Sequence, residues 1–151
     1  MKLFEQYQFQ PFVKETLQKL NFQSPTEIQK SVIPLVYKHR DVIGISQTGT
    51  GKTHAFLIPI MDMIETSADC VQAVITAPTR ELAQQIYDQA KVFTNYNKNL
   101  RVSLIIGGKD KQKTISKLNV QPHLVIGTPG RIKDLSLEEQ ALKITTADIF
   151  V

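Results

Sequence analysis

An eight-residue stretch rich in glycine and threonine holds the side chains of this sequence that are best suited to chemistry. It runs Ser46-Gln47-Thr48-Gly49-Thr50-Gly51-Lys52-Thr53. An apolar run precedes it and a helical apolar pattern follows it, so we expect a turn from strand to helix. Gly49 and Gly51 allow a tight turn whose N–H groups face inward at a helix N-terminus, where anions bind. Lys52 can then reach terminal phosphates, and the Thr53 hydroxyl can ligate Mg²⁺.

The match to the general phosphate-loop pattern is close but incomplete, because Ser46 stands where the pattern has its first glycine. A Gly/Thr-rich turn with an exposed lysine is the alternative interpretation. The strand before, the helix after and the Gly-Lys-Thr triplet together favour a phosphate-binding loop.

Three further loops carry groups that suit a phosphodiester backbone. They are Pro78-Thr79-Arg80-Glu81, Gly107-Gly108 and Thr128-Pro129-Gly130-Arg131. Arginine forks and threonine hydroxyls bind phosphate, and glycines allow a backbone to approach closely. Because no aromatic stacking platform accompanies them, these loops are predicted to bind a nucleic-acid backbone regardless of base sequence. An Arg80–Glu81 surface ion pair and a plain turn at Gly107-Gly108 are the alternatives.

The elements that must position these loops alternate between strand and helix. Strands are predicted over 42–45, 71–77, 101–106, 123–127 and from 149 onward, and helices over 11–20, 52–65, 79–93 and 109–118 with a short one from 128. Ser24, Pro25 and Glu27 have the form of a capping box, so a further helix is predicted to begin there. This alternation is typical of an α/β fold with a mostly parallel sheet flanked by helices. Ligands bind beyond the carboxyl ends of such strands, where all four loops fall.

Composition excludes several other classes. The chain has 151 residues, 42% of them hydrophobic, which fits one globular domain or part of one. A formal charge of +4 decides little about partners. Cys70 has no internal disulfide partner, and no apolar run is long enough for a membrane helix. Charged residues also interrupt any apolar run within residues 1–6. We therefore expect a cytoplasmic protein. The histidines show no metal-ligand spacing.

Together these motifs resemble the DEAD-box RNA helicases, specifically their first RecA-like domain, over nearly the whole chain. The segment Pro25-Thr26-Glu27-Ile28-Gln29, with Phe12 seventeen positions before Gln29, resembles the family's Q motif. Residues 46–53 resemble its motif I, with serine in place of the usual alanine. Residues 78–83 resemble motif Ia, Gly107-Gly108 the glycine doublet and residues 128–131 motif Ib. Asn21 departs from the family's usual glycine.

The resemblance implies an ATP-dependent RNA helicase that unwinds short duplexes or remodels RNA–protein complexes. Gln29 would hydrogen-bond adenine, and Phe12 would stack on the ring or pack beside it. Residues 46–53 would hold the phosphates of ATP, with Lys52 and Thr53 as catalytic residues and Thr53 as a ligand to magnesium. Pro78, Thr79, Arg80, Gly107, Gly108, Thr128, Pro129, Gly130 and Arg131 would hold one RNA strand without sequence preference.

The resemblance also predicts what lies outside this chain. The family's strand at Ile149 continues into an acidic motif that holds magnesium, and a second RecA-like domain follows. We therefore expect residues 1–151 to be a truncated first RecA-like domain, incomplete at its C-terminus, that binds nucleotide but does not hydrolyse it. Unpaired sheet edges would favour self-association. A non-hydrolysing nucleotide- or RNA-binding module and a DNA helicase of the same fold are the alternatives.

Overall fold

The structure, a computed structural model, describes residues 4–151. Residues 1–3, part of the N-terminal segment considered above, lie outside the described residues. The chain divides into two compact units, Met1–Ile64 and Glu65–Val151.

The first unit is helical. A 3₁₀ turn at Phe4–Gln6 precedes α1 (Pro11–Lys19), α2 (Glu27–Tyr37) and α3 (Lys52–Met63). The predicted apolar stripe of α1 is largely confirmed, because Val13 and Leu17 are buried. Helix α3 is apolar on nearly every side and packs against α2, with Leu57 and Ile58 fully buried. Pro34 and Pro59 lie inside α2 and α3 without ending either helix.

The start of α2 differs from the prediction. The N-cap is Thr26 and not Ser24, and its capping-box partner is Gln29 and not Glu27. The Gln29 Oε1 atom accepts from the Thr26 N–H at 3.0 Å, and Thr26 Oγ1 accepts from the Gln29 N–H at 3.4 Å. Both tetrapeptides fit the capping pattern of Ser or Thr followed three residues later by Glu or Gln, and the structure uses the second.

The predicted strand over 42–45 is wrong. Residues 42–45 form no strand within the described chain, and the side chains of Ile43 and Ile45 are 91% and 89% exposed. A β-branched sequence favours a strand only where a neighbouring strand and a packed face are available. This segment leads into the phosphate loop without regular secondary structure, and its apolar side chains face solvent.

The second unit contains a parallel sheet with helices. Its elements are β1 (Ala73–Thr76), α4 (Arg80–Thr94), β2 (Val102–Ile105), α5 (Lys111–Lys117), β3 (Leu124–Gly127), α6 (Pro129–Lys133), a π-helical turn (Asp134–Glu138) and β4 (Ile149–Phe150). The strand order is β2-β3-β1-β4, and every pairing is parallel. Apart from 42–45, each predicted strand is present in shortened form, and the α/β fold class is confirmed.

The core of the second unit lies around the central strands β1 and β3. Its fully buried members include Ile75, Leu124 and Ile126 from these strands and Phe93 from α4. Thr79 caps α4 as predicted, since its Oγ1 accepts from the Leu82 N–H at 3.1 Å. Among residues 4–151, no helix is long and apolar enough to cross a bilayer.

Candidate nucleotide and nucleic-acid sites

The phosphate loop of the first unit has the backbone that its glycines predict. Gly49 and Gly51 have φ values of +81° and +87°, in the left-handed region that favours glycine. Gly51 is the N-cap of α3, so the free N–H groups of this helix start at the loop. Lys52 and Thr53 occupy the first turn, where a bound phosphate would meet both the helix N-terminus and their side chains.

Hydrogen bonds between its own residues hold the phosphate loop together. The Lys52 ammonium donates to the carbonyl of Ser46 at 2.6 Å, and Thr50 Oγ1 donates to the carbonyl of Gln47 at 2.6 Å. The Ser46 and Thr50 hydroxyls also share a hydrogen bond, which alanine at position 46 could not form. Because Lys52 is exposed, its ammonium can exchange the Ser46 carbonyl for phosphate oxygens.

Gln29 connects the start of α2 to the phosphate loop. Its side chain is 3% exposed, and its Nε2 atom donates to the carbonyl of Gly51 at 3.1 Å while Oε1 accepts from Thr26. A primary amide has two N–H donors and two lone pairs, so one donor and one acceptor are left. The predicted adenine ligand therefore also positions the loop that would hold the phosphates.

Phe12 lies deeper than its predicted role suggests. Its side chain is 7% exposed in the core of the first unit, which favours packing beside a base over stacking on it. An aromatic cluster of Phe4, Tyr7 and Phe9 precedes α1, with the Tyr7 and Phe9 rings stacked at 5.1 Å. The Phe4 N–H donates to the carbonyl of Gln23 at 2.9 Å, which ties this cluster to the segment before α2. Sequence spacing gave no signal for the cluster.

Asn21 has an unusual backbone conformation, and His54 is buried against an aromatic ring. Asn21, where the family has glycine, has a φ of +58°, a left-handed conformation that asparagine tolerates better than most residues. His54 follows Thr53 and contacts the Phe22 ring edge-on at a centroid distance of 4.9 Å. Burial lowers the pKa of His54, so its imidazole is neutral at pH 7.

The second unit brings the three predicted anion-binding loops together around one open cavity of about 650 Å³, within the usual size range of ligand sites. Its lining residues are Pro78, Thr79, Arg80, Glu81, Gly107, Thr128, Pro129, Gly130, Arg131 and Asp134. These loops follow β1, β2 and β3, whose carboxyl ends share one edge of the sheet. Nothing lies within 4 Å of the position that a Cβ on Gly130 would take, so the cavity is open above this residue.

The glycine doublet makes room for Arg80. A Cβ on Gly107 would lie 2.9 Å from Arg80 Nη2, and one on Gly108 would lie 3.0 Å from Arg80 Nη1. Gly108 also has a φ of +78°. The doublet therefore lets the guanidinium lie directly against the loop after β2, with its remaining N–H groups available to a phosphate.

Asp134 lines this cavity and Lys111 pairs with it, although the sequence patterns singled out neither residue. Lys111 Nζ lies 2.9 Å from Asp134 Oδ2 and 2.7 Å from Glu139 Oε1, and Arg131 Nη1 lies 3.5 Å from Asp134 Oδ2. Lys111 lowers the pKa of Asp134 by hydrogen bonding, and Arg131 adds to this effect. The three-residue spacing between Arg131 and Asp134 was the one available signal. Across residues 4–151, no cluster of three or more His, Cys, Asp or Glu side chains could hold a metal ion.

Comparisons with known proteins place the chain in one family. The sequence profile of the DEAD/DEAH box helicase family matches residues 26–151. The DEAD-box ATP-dependent RNA helicases CshB of Bacillus subtilis and Listeria monocytogenes are 53% and 52% identical over 98% of this chain. The chain spans 34% of the length of each of these relatives.

Solved structures show the same fold. A DEAD box protein from Methanococcus jannaschii is 32% identical, with a TM-score of 0.88 over 98% of this chain and 40% of its own. A Dbp5 variant of S. cerevisiae bound to RNA and ADP BeF3 is 26% identical, with a TM-score of 0.82 over 99% of this chain and 37% of its own.

Proposed function

Since the chain belongs to the DEAD/DEAH box helicase family, we propose that it forms the nucleotide- and RNA-binding region of an ATP-dependent RNA helicase. The observation that carries the proposal is the cavity in which three separate loops present two guanidinium groups and two threonine hydroxyls. The names of the CshB relatives and the RNA-bound Dbp5 variant support RNA as the nucleic acid.

ATP would bind on the first unit. Gln29 has one amide donor and one acceptor left for the adenine edge, and its bond to Gly51 couples base recognition to the phosphate loop. Phe12 would support the base from the core. Lys52 would turn from Ser46 toward the phosphates, where its charge would neutralise the negative charge of the transferred group.

Magnesium would enter with the nucleotide. The Thr53 hydroxyl, in the first turn of α3, fits the site because Mg²⁺ is usually held by few protein oxygens together with phosphates and water. The ion would neutralise phosphate charge. Lys52 and Thr53 would be the catalytic groups of this chain, and we expect residues 1–151 alone to show no RNA-stimulated phosphate release. Turnover by the purified chain would contradict this expectation.

Self-association would follow from exposed apolar residues. Ile43 and Ile45 are almost fully exposed, and β4 at one end of the sheet leaves Phe150 63% exposed. Such surfaces favour pairing with a second copy. Light scattering over a hundredfold range of chain concentration should show oligomers, and an Ile43→Lys/Ile45→Lys variant should shift the mass toward the monomer. A wild-type mass that stays monomeric throughout would contradict the proposal.

Titration with fluorescent ADP and GDP tests the adenine site. We expect the wild type to prefer ADP, and Gln29→Ala to lose that preference. Lys30→Ala is a matched control on the next residue, because the Lys30 side chain pairs with the exposed Glu27. Equal affinity of the wild type for ADP and GDP would overturn the assignment of Gln29.

A further inference from the structure

Three exposed lysines lie beside the cavity, on α5 and just before it. Lys113 and Lys117 are four residues apart in the helix and therefore share one face, and Lys109 precedes Lys113 by the same interval. All three side chains are exposed, and none of their ammonium groups forms an ion pair within residues 4–151. We call these three residues the lysine stripe.

The opposite face of α5 holds the stripe in place. Ile115 is partly buried against the core of the second unit, and Leu118, the C-cap of the helix, belongs to that core. The one acidic residue of 109–117, Asp110, accepts at Oδ1 from the N–H groups of Gln112 and Lys113 and so caps the helix. The stripe is therefore a row of positive charge on a packed helix, with its nearest carboxylate used at the helix start.

The stripe begins at the rim of the cavity. Lys109 directly follows the glycine doublet, of which Gly107 lines the cavity. Lys111 Nζ lies 2.9 Å from Oδ2 of Asp134, another lining residue, so an ion pair ties α5 to the cavity. From this rim the helix leads back toward the start of β3, and four residues of helix advance about 6 Å. A strand that leaves the cavity past the doublet would therefore meet ammonium groups in succession.

Charge and position together identify the occupant of the stripe. Every nucleotide of a single strand carries a phosphate, and lysine binds phosphate as a point charge without reading the base. An acidic protein segment would also be attracted, but it is the nucleic acid held in the cavity that continues past the rim. We propose that the lysine stripe binds phosphates of the RNA strand where it leaves the cavity past Gly108. This inference rests on the proposed binding of RNA in the cavity.

The structural alternative is a solvated helix face whose lysines contact no ligand. Such a face would not make affinity depend on the length of the RNA in a way that its removal abolishes. A stripe that binds phosphates gives additional contacts only to oligomers long enough to leave the cavity.

The test compares labelled oligouridines of five and fifteen nucleotides by fluorescence anisotropy with the 151-residue chain over a range of salt concentrations. Each phosphate of a single strand that is neutralised adds about −0.7 to the slope of the logarithm of the association constant against the logarithm of the salt concentration. With two or three lysines engaged, the wild-type slope should be steeper for the fifteen-mer than for the five-mer by about 1.4 to 2.1.

Lys113→Ala/Lys117→Ala should weaken fifteen-mer binding by roughly 2- to 30-fold, because exposed ion contacts are individually weak. It should also reduce the steepness of the fifteen-mer slope by about 1.4 and leave five-mer binding unchanged. Circular dichroism would establish that each variant is folded.

Lys98→Ala/Lys143→Ala is the matched control, because it removes the same formal charge from two exposed lysines at the other edge of the sheet. Lys98 precedes β2, and the N–H of Lys143 donates to Gln121, which precedes β3. The control variant should bind both oligomers as the wild type does.

The outcomes separate the two levels of the proposal. Equal wild-type slopes for the two oligomers, equal effects of the two double variants, or a proportional loss for both oligomers overturns the lysine stripe alone. Labelled polyglutamate is titrated in parallel, and binding that needs the stripe while fifteen-mer binding does not would assign the stripe to an acidic protein segment and overturn the proposal. Failure of the wild type to bind either oligomer overturns the proposed RNA-binding function and this inference with it.

Discussion

Replacing Gly51 by alanine tests the coupling between Gln29 and the phosphate loop. A Cβ at position 51 would lie 2.5 Å from Gln29 Nε2 and 3.2 Å from Thr26 Oγ1. The Gln29 side chain would have to move, losing its bond to the Gly51 carbonyl and disturbing the capping box of α2. The φ of +87° adds left-handed strain for any residue with a Cβ.

The magnitude follows from these two contributions. Left-handed strain costs about 1–2 kcal/mol, and loss of the cap costs about 0.5–2 kcal/mol. Gly51→Ala should therefore lower the free energy of unfolding by about 1.5–4 kcal/mol. Gly49→Ala is a matched control, because Gly49 has a similar φ of +81° but nothing within 4 Å of the new Cβ. Gly49→Ala should lower the free energy of unfolding by only about 1–2 kcal/mol.

Urea unfolding of six proteins, namely two parents and four glycine variants, measures the coupling directly. Gly51→Ala and Gly49→Ala are each made in the wild type and in a Gln29→Ala background. Once the Gln29 side chain is removed, Gly51→Ala should cost no more than Gly49→Ala. Equal effects of the two glycine variants in the wild-type background would refute the coupling.

Three further predictions concern other parts of the chain. Tyr37 donates a 2.6 Å hydrogen bond to Asp62, so Tyr37→Phe should lower the free energy of unfolding by about 1.5–3 kcal/mol in urea titrations, and an effect below about 0.5 kcal/mol would contradict this. Gly107→Ala should displace the flexible Arg80 guanidinium and weaken oligouridine binding in anisotropy titrations with little loss of stability, and unchanged binding would contradict it. Burial lowers the pKa of His123 below 6.5, so on acidification this imidazole is protonated in the unfolded chain before it is protonated in the folded chain. The free energy of unfolding should therefore fall as the pH drops below about 6.5. His123→Asn should partly flatten that fall between pH 7 and 5 in thermal melts, and an unaltered pH profile would contradict the assignment.

Much of the second unit was predictable because its helix cap and its buried strands are set by patterns of neighbouring residues. Thr79 caps α4, and the apolar runs of β1 and β3 fill a buried parallel sheet. The three loops after these strands then meet at one edge by the topology of the fold. Motif spacing and strand pattern were therefore sufficient to place Arg80 and Arg131 around one cavity.

The errors lie where a distant contact decides between local options. Ser24 and Thr26 both fit a capping pattern, and the contact of Gln29 with Gly51, 22 residues away, accompanies the choice of Thr26. Strand propensity at Ile43 could not reveal that no strand pairs with it in the described part of the chain. Asp134 was missed because its role depends on Lys111, which approaches it from another helix.

The salt dependence of RNA binding tests the central claim most directly. Labelled five-nucleotide oligouridine is titrated with the wild type and with an Arg80→Ala/Arg131→Ala variant across a range of salt concentrations. If the two arginines neutralise two phosphates, the logarithm of the RNA association constant should fall with the logarithm of the salt concentration at a slope of about −1.4. In the double variant, binding should weaken strongly and the slope should approach zero. A variant that binds RNA as tightly as the wild type, with the same slope, would contradict the account.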